Sequence, residues 1–249
     1  MTIVNNPEIL FLITARGGSK RVPGKNLREI NGQTLIGYKA RSALKSRNCG
    51  RLIISTDNHR IADEARQCGV EVPFMRPAEL ASDTATSDSV VQHVIEYFET
   101  VEKCSYRAIM LLEPSTPFAR AQDYDGGIDL FLNREGAALV VGMKQTEVSS
   151  VYVGELRNDG RADQIVEKFT GNQRAKRTQD LAAEYTMNGA FYLIDWASMK
   201  RTGKIYGDAE NTYGYPMDRK YSVEIDNFFD LKMAEFFISS GELDQKEWQ

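Results

Sequence analysis

Between Ile9 and Arg28 the chain carries the cations Arg16, Lys20, Arg21, Lys25 and Arg28 and no acid. They are threaded through Thr14-Ala-Arg-Gly-Gly-Ser-Lys-Arg-Val-Pro-Gly-Lys-Asn26, a turn that follows the apolar run Ile9-Leu-Phe-Leu-Ile13. Gly17 and Gly18 let backbone approach a ligand closely, and exposed N–H groups at such a turn hold anions. Lys20 and Lys25 can reach forward onto phosphate oxygens. This is the chemistry of polyanion binding, most simply of a nucleoside triphosphate, although the same residues would also serve as an ordinary turn with solvated lysines. It is not a Walker loop, because Ser19 and Asn26 stand where that motif needs Gly and Ser or Thr. Adjacent glycines also exclude the GxGxxG fingerprint.

Glu224 and Asp226 form the second constellation. On a strand, positions two apart project from one face, so both carboxylates point one way while Ile225 packs the other. Hard oxygen ligands of this kind suit Mg²⁺ bridging substrate phosphates. Two solvated acids on an edge strand are the alternative. Arg174, Lys176 and Arg177 read equally as a solvated basic face. His59 and His93 have no partner arrangement that suggests a triad.

A chain of 249 residues, 42% apolar and 27% charged, is long enough for one main core with an appended element. Its net charge of -4 argues against nonspecific nucleic-acid binding. Cys49, Cys68 and Cys104 form no CxxC pair, so no disulfide framework or zinc site is expected. With no basic leader and no apolar run of spanning length, the expectation is a cytoplasmic protein without a membrane partner.

The elements that must position these residues alternate as strand and helix over the first 140 residues, the pattern of a parallel sheet covered on both faces. Strands are expected at 9–13, 51–55, 70–74, 108–112 and 137–142, and helices at 35–46, 60–68, 89–101 and 122–133. From about 144 to 185 the chain turns polar, and Val151-Tyr-Val153 and Gln164-Ile-Val166 suggest an inserted antiparallel element. Strands at 189–194 and 221–226 and a helix at 228–237 close the chain.

Ala15-Arg-Gly-Gly-Ser-Lys20 with Lys25-Asn26 resembles the signature loop of the cytidylyltransferases that activate sialic acid and related nonulosonic acids as CMP sugars. The resemblance continues through Ser55-Thr-Asp57, the segment from Arg76 to Thr84, Leu111-Leu-Glu-Pro-Ser-Thr-Pro117, Arg177-Thr-Gln-Asp180, Asn188-Gly-Ala-Phe-Tyr192 and Ser222-Val-Glu-Ile-Asp226 with Asp230-Leu231. Their order and spacing carry more than any one of them.

The resemblance implies an α/β, Rossmann-like nucleotidyltransferase with a mixed, mostly parallel sheet and helices on both faces. Residues 1–143 and 186–249 would form the catalytic domain, and 144–185 an inserted dimerisation element of a homodimer. CTP would be held by Ala15, Arg16, Ser19, Lys20, Lys25 and Asn26, with Arg76, Ala85 and Ser87 at the base. Arg16, Lys20, Lys25 and Asp226 would carry the chemistry, and Glu224 and Asp226 the Mg²⁺. The nine-carbon sugar acid would meet Glu113, Ser115, Thr116, Arg177, Gln179 and Asn188. Three positions depart from the pattern: Glu113 replaces the usual Gln, Glu224 an Asp, and Thr186 the Arg that several bacterial sialic acid enzymes carry. N-acetylneuraminate, legionaminate, pseudaminate and the eight-carbon octulosonate all remain open as substrates. A non-catalytic nucleotide-sugar sensor is the rival from another class.

Overall fold

The computed structural model describes residues 9–170 and 182–249. Its elements run, in chain order, β1 (Ile9–Thr14), β2 (Glu29–Ile30), β3 (Gln33–Thr34), α1 (Leu35–Lys45), β4 (Arg51–Ser55), α2 (His59–Gln67), α3 (Ser87–Tyr97) and β5 (Ala108–Leu112). There follow α4 (Ala121–Leu132), β6 (Leu139–Gln145), α5 (Asp163–Thr170), β7 (Tyr185–Asp195), α6 (Trp196–Thr202), β8 (Thr212–Pro216) and α7 (Phe228–Ser239).

Six strands form one sheet in the order β4-β1-β5-β7-β6-β8. β1 runs parallel to β4 and β5, and β6 parallel to β8; β7 is reversed against both β5 and β6. β1 is apolar from Ile9 to Ile13, as a strand covered on both faces must be. Phe11 and Ile13 pack beneath α1, α2 and α4 with Ile36, Ile61 and Tyr124, while Leu10 and Leu12 meet Val91 and Val94 of α3 on the other face. Each such fully buried side chain is worth roughly 1.5–3 kcal/mol. A third cluster lies beside the sheet and joins Val22, Ile225 and Leu231 to Trp248.

The helices start where their caps say they should. Thr34 accepts from the Gly37 N–H, Asn58 from Arg60 and Ile61, and Thr86 from Ser89. Asn227 and Asp230 make a reciprocal capping box at the start of α7.

Several expected elements differ. Residues 70–74 contribute only a single bridge, Ile53 to Glu71; Pro73 lacks the N–H needed to extend the ladder. Tyr221 belongs to the short turn Arg219–Tyr221, Ser222 is not extended, and residues 223–226 pair with no strand; the Ile225 N–H bonds the Ser115 carbonyl instead. In the insertion, residues 150–152 form a helical turn and 164–166 lie within α5, so neither piece is a strand. Among the described residues of the insertion, antiparallel pairing lies at its base, where Lys144 and Gln145 face Thr186 and Tyr185. The expected strand 137–142 is shifted to Leu139–Gln145.

Candidate active site

β1 delivers the cation turn to the carboxyl edge of the sheet, where ligands of open α/β sheets bind. Local bonds shape the turn: the Gly17 N–H donates to Asp57 at 2.9 Å, and the buried Asn26 amide donates to the Arg16 carbonyl at 3.0 Å. Gly17 allows a close approach, since a Cβ there would come 2.7 Å from the Asn58 amide. Gly24, at φ +66°, turns the chain into the 3₁₀ turn Lys25–Leu27, and the side chain of Val22 anchors it in the third cluster.

The turn forms one wall of a cleft of about 490 Å³. Arg16, Lys20, Arg21 and Lys25 face Glu113, Ser115, Glu224 and Asp226 across it, with Ser19 and Asn26 also in its lining. Lys25 bridges the walls, donating to the Ile225 carbonyl at 2.8 Å and lying 3.5 Å from the Asp226 carboxylate. The expected alternation at 224–226 holds without a strand: Ile225 is buried in the core, Glu224 is exposed and Asp226 half-buried. The capping residue Asp230 accepts from the Asp226 and Asn227 N–H groups at 2.8 and 2.9 Å, fixing the end of this segment.

Burial, together with the negative charge of Asp226, raises the Glu224 carboxyl above the usual carboxylate range. Burial and the charge of Glu224 do the same to Glu113. Carboxylates that repel one another in a half-buried cleft are stabilised by an added cation.

A neighbouring cavity of about 250 Å³ shares Thr14 and Arg16 with the cleft and is lined by Arg76, Ala85 and Ser87. The Arg76 guanidinium is buried and fixed on Ser55, donating to its hydroxyl at 3.0 Å and its carbonyl at 2.5 Å. Burial pulls it down to about 10, so it stays a cation at neutral pH. A third space of about 220 Å³, lined by Ser87, Glu113, Tyr192 and Tyr206, adjoins both.

Asp83 was not anticipated. It lies 3.0 Å from Arg16 and 2.5 Å from Lys20, and Arg16 also donates to the Ser82 carbonyl at 3.1 Å. Contact with Lys20, and then Arg16, holds the Asp83 carboxyl below its ordinary range. Its signal was the acid in Ser82-Asp83-Thr84, on a segment already assigned to the base.

Two of the expected sugar contacts do not face the cleft. Asn188 is fully buried: its amide donates to Ser222 Oγ at 2.9 Å and its Oδ1 accepts from the Ala190 N–H at 3.0 Å. Thr116 is also fully buried and donates to the Asn188 carbonyl at 3.2 Å. Both support the wall from behind, joined to each other by that bond. Ala15 is likewise buried and can meet a ligand only through its backbone. Arg177 and Gln179 lie outside the described residues.

The sequence pattern of the family described as cytidylyltransferase matches residues 10–125, which hold the cation turn, the Arg76 segment and Glu113. The chain is 30% identical to post-translational flagellin modification protein B of Campylobacter coli, over 97% of this chain and 99% of that protein. It is 29% identical to CMP-N,N'-diacetyllegionaminic acid synthase of Campylobacter jejuni subsp. jejuni serotype O:2, over the same shares. Its fold matches the solved structure of CMP:2-keto-3-deoxy-manno-octonic acid synthetase complexed with CTP at a TM-score of 0.67 and 14% identity, covering 94% of this chain and 99% of that one. With the cation turn, the Arg76 cavity and the carboxylate wall on one edge of the sheet, the chain belongs to the cytidylyltransferase family, among its CMP-sialic acid synthetase-like members.

Proposed function

We propose that the protein transfers CMP from CTP to the anomeric 2-hydroxyl of a nine-carbon 2-keto sugar acid and releases pyrophosphate. The observation that carries this reading is the single cleft in which Arg16, Lys20 and Lys25 face Glu224 and Asp226. The bond from the hydroxyl oxygen to the α-phosphorus forms as the bond to the bridging oxygen breaks; the proton passes to solvent and the charge leaves on pyrophosphate. Such a transfer asks a protein chiefly for alignment and charge neutralisation. Arg16 and Lys20 lie where they can meet the leaving phosphates, and Lys25 at the junction with the carboxylates. Arg76, Ala85 and Ser87 are read as the cytosine pocket.

Glu224 and Asp226 fit a hard divalent cation, and Mg²⁺ is the proposed occupant. Among the described residues no cluster of three or more His, Cys, Asp or Glu could hold a metal by itself, so substrate phosphates and water would complete the shell. When bound, the ion supplies charge neutralisation at the phosphates.

The similarity to the legionaminic acid enzyme supports a nonulosonate over the eight-carbon octulosonate, and Glu113 and Thr186 support a substituent pattern other than that of N-acetylneuraminate. A homodimer is part of the same proposal. It is supported by the exposed apolar side chains Val148, Val153, Leu156, Val166, Tyr185 and Met187, all in or at the base of the insertion. Light scattering behind gel filtration tests it, and a monomer at working concentration would refute it. A cytoplasmic location is proposed too, supported by three unpaired cysteines. No helix among the described residues is long and apolar enough to cross a membrane.

The test of the reaction is pyrophosphate release with CTP and Mg²⁺ on a panel of N-acetylneuraminate, its deaminated analogue, legionaminate, pseudaminate and the octulosonate, with GTP in parallel. Turnover on a nonulosonate with CTP is the expected result. Silence from folded protein that binds CTP would favour the nucleotide-sugar sensor.

A further inference from the structure

Beneath the sheet, α1 carries a lysine far from water. Lys39 is fully buried, its Nζ donates to the Ala190 carbonyl at 3.1 Å, and the ammonium lies 5.7 Å from the centre of the Tyr124 ring. Burial pushes its pKa down to about 7, with Glu113 and Asp123 pulling the other way. An ammonium is an expensive group to bury, so the carbonyl that it holds is informative.

That carbonyl belongs to a bulge. The register of β6 on β7 runs from Val141 opposite Tyr192 to Met143 opposite Met187, so residues 188–191 stand against Gly142 alone. Ala190 pairs in the register of neither neighbouring strand. Side chains take both of its backbone groups instead: Asn188 Oδ1 accepts from the N–H, and Lys39 donates to the carbonyl. Next to it, Gly189 turns the chain at φ +66°. A Cβ at Gly189 would come 3.1 Å from Thr116 Oγ1, 3.4 Å from Glu224 Oε1 and 3.6 Å from Glu113 Oε2. The bulge therefore presses backbone against the carboxylate wall.

We propose that Lys39 is a positioning residue for the sugar-acid side of the cleft: from under the sheet it pins the bulge at Ala190, and the bulge sets the place of Glu113. This deepens the reading of the reaction given above and rests on it. Arg16 and Lys20, the cations read as meeting the phosphates, are held by Ser82 and Asp83 rather than by the bulge, so the larger effect of Lys39 falls on the sugar acid.

The test is Lys39→Met, which keeps length and apolar bulk but removes the donor, with kcat and both KM values read from pyrophosphate release on the panel's best acid. The expected result is a rise of about tenfold in KM for the sugar acid, with KM for CTP held within about twofold. Lys39→Gln, whose amide can still donate, should recover part of that loss. In a Glu113→Gln background the effect of Lys39→Met should shrink, since the placement of Glu113 is then no longer at stake. Should Lys39→Met fail to fold, deuterium exchange on the wild-type chain takes its place: the peptide covering the bulge should be protected by sugar acid with CTP and not by CTP alone. An unchanged sugar KM, equal rises in both KM values, or exchange at the bulge indifferent to the sugar acid would each overturn the role of Lys39. No turnover by the wild type on any acid would overturn the reaction instead.

Discussion

The two walls of the cleft are made in opposite ways. The cation wall comes from one local stretch, Arg16 to Lys25; its Lys20 side chain is 79% exposed, while Lys25, which reaches the other wall, is 19% exposed. The carboxylate wall is assembled from the turn after β5, the bulge of β7 and the segment before α7, with buried support from Lys39, Thr116 and Asn188. Phosphate asks for charge and free N–H groups, which a short loop can supply by itself. A sugar acid asks for shape, and a shape holds only when distant segments brace one another.

The largest expected effect bears on that bracing. Lys39 has a lower pKa folded than unfolded, so between about 7 and about 10.5 the unfolded chain binds the extra proton. Stability must then rise with pH through that window. Denaturant titrations should find the wild type gaining roughly 4 kcal/mol more than Lys39→Met between its ends. A flat difference would mean that Lys39 keeps its ordinary pKa and supports the bulge as a full ammonium. Next comes Lys25, which ties the walls together: Lys25→Ala should lose about 10²-fold in turnover, against about tenfold for Lys20→Ala, with melting temperatures little changed. Equal losses would erase the distinction between a bridging and a free cation.

Gly189→Ala should cost about 1–2 kcal/mol of stability, seen as a lower thermal midpoint, because its φ is positive and the new methyl meets Thr116. Its kinetic penalty should fall on the sugar acid alone. The smallest effect belongs to the cation wall. Asp83→Asn should lower KM for CTP by about threefold, since Arg16 and Lys20 would no longer need to be released from an exposed ion pair. A higher KM would show instead that Asp83 presents those cations to the nucleotide.

Sequence legibility divides along the same line. The cation wall was readable because charge, glycine and a buried strand are contiguous there. β1, β4 and β5 are legible as apolar runs, and α1 to α4 and α7 as periodic stretches; α5 and the short α6 are not, since residues 164–166 read as a strand piece and Trp196–Thr202 went unmarked. The β2–β3 hairpin was also readable, since Asn31-Gly32 has the positive φ angles of a tight hairpin turn, but so short a pair went unmarked. β8 was hidden because Thr-Tyr-Gly-Tyr-Pro at a sheet edge has no apolar run. Residues 221–226 alternate as a strand does, yet dock on a loop, and no local pattern separates the two. Lys39 left one usable trace: it follows Ile36 by three positions and precedes Ala43 by four, which places it on the apolar face of α1.

The third apolar cluster has a consequence for how the cleft assembles. It keys the cation turn, through Val22, and the carboxylate segment, through Ile225, to Trp248, whose carbonyl also accepts from Arg41 at 2.7 Å. A contact of such sequence separation is slow to close, and the two walls come into register only when it has.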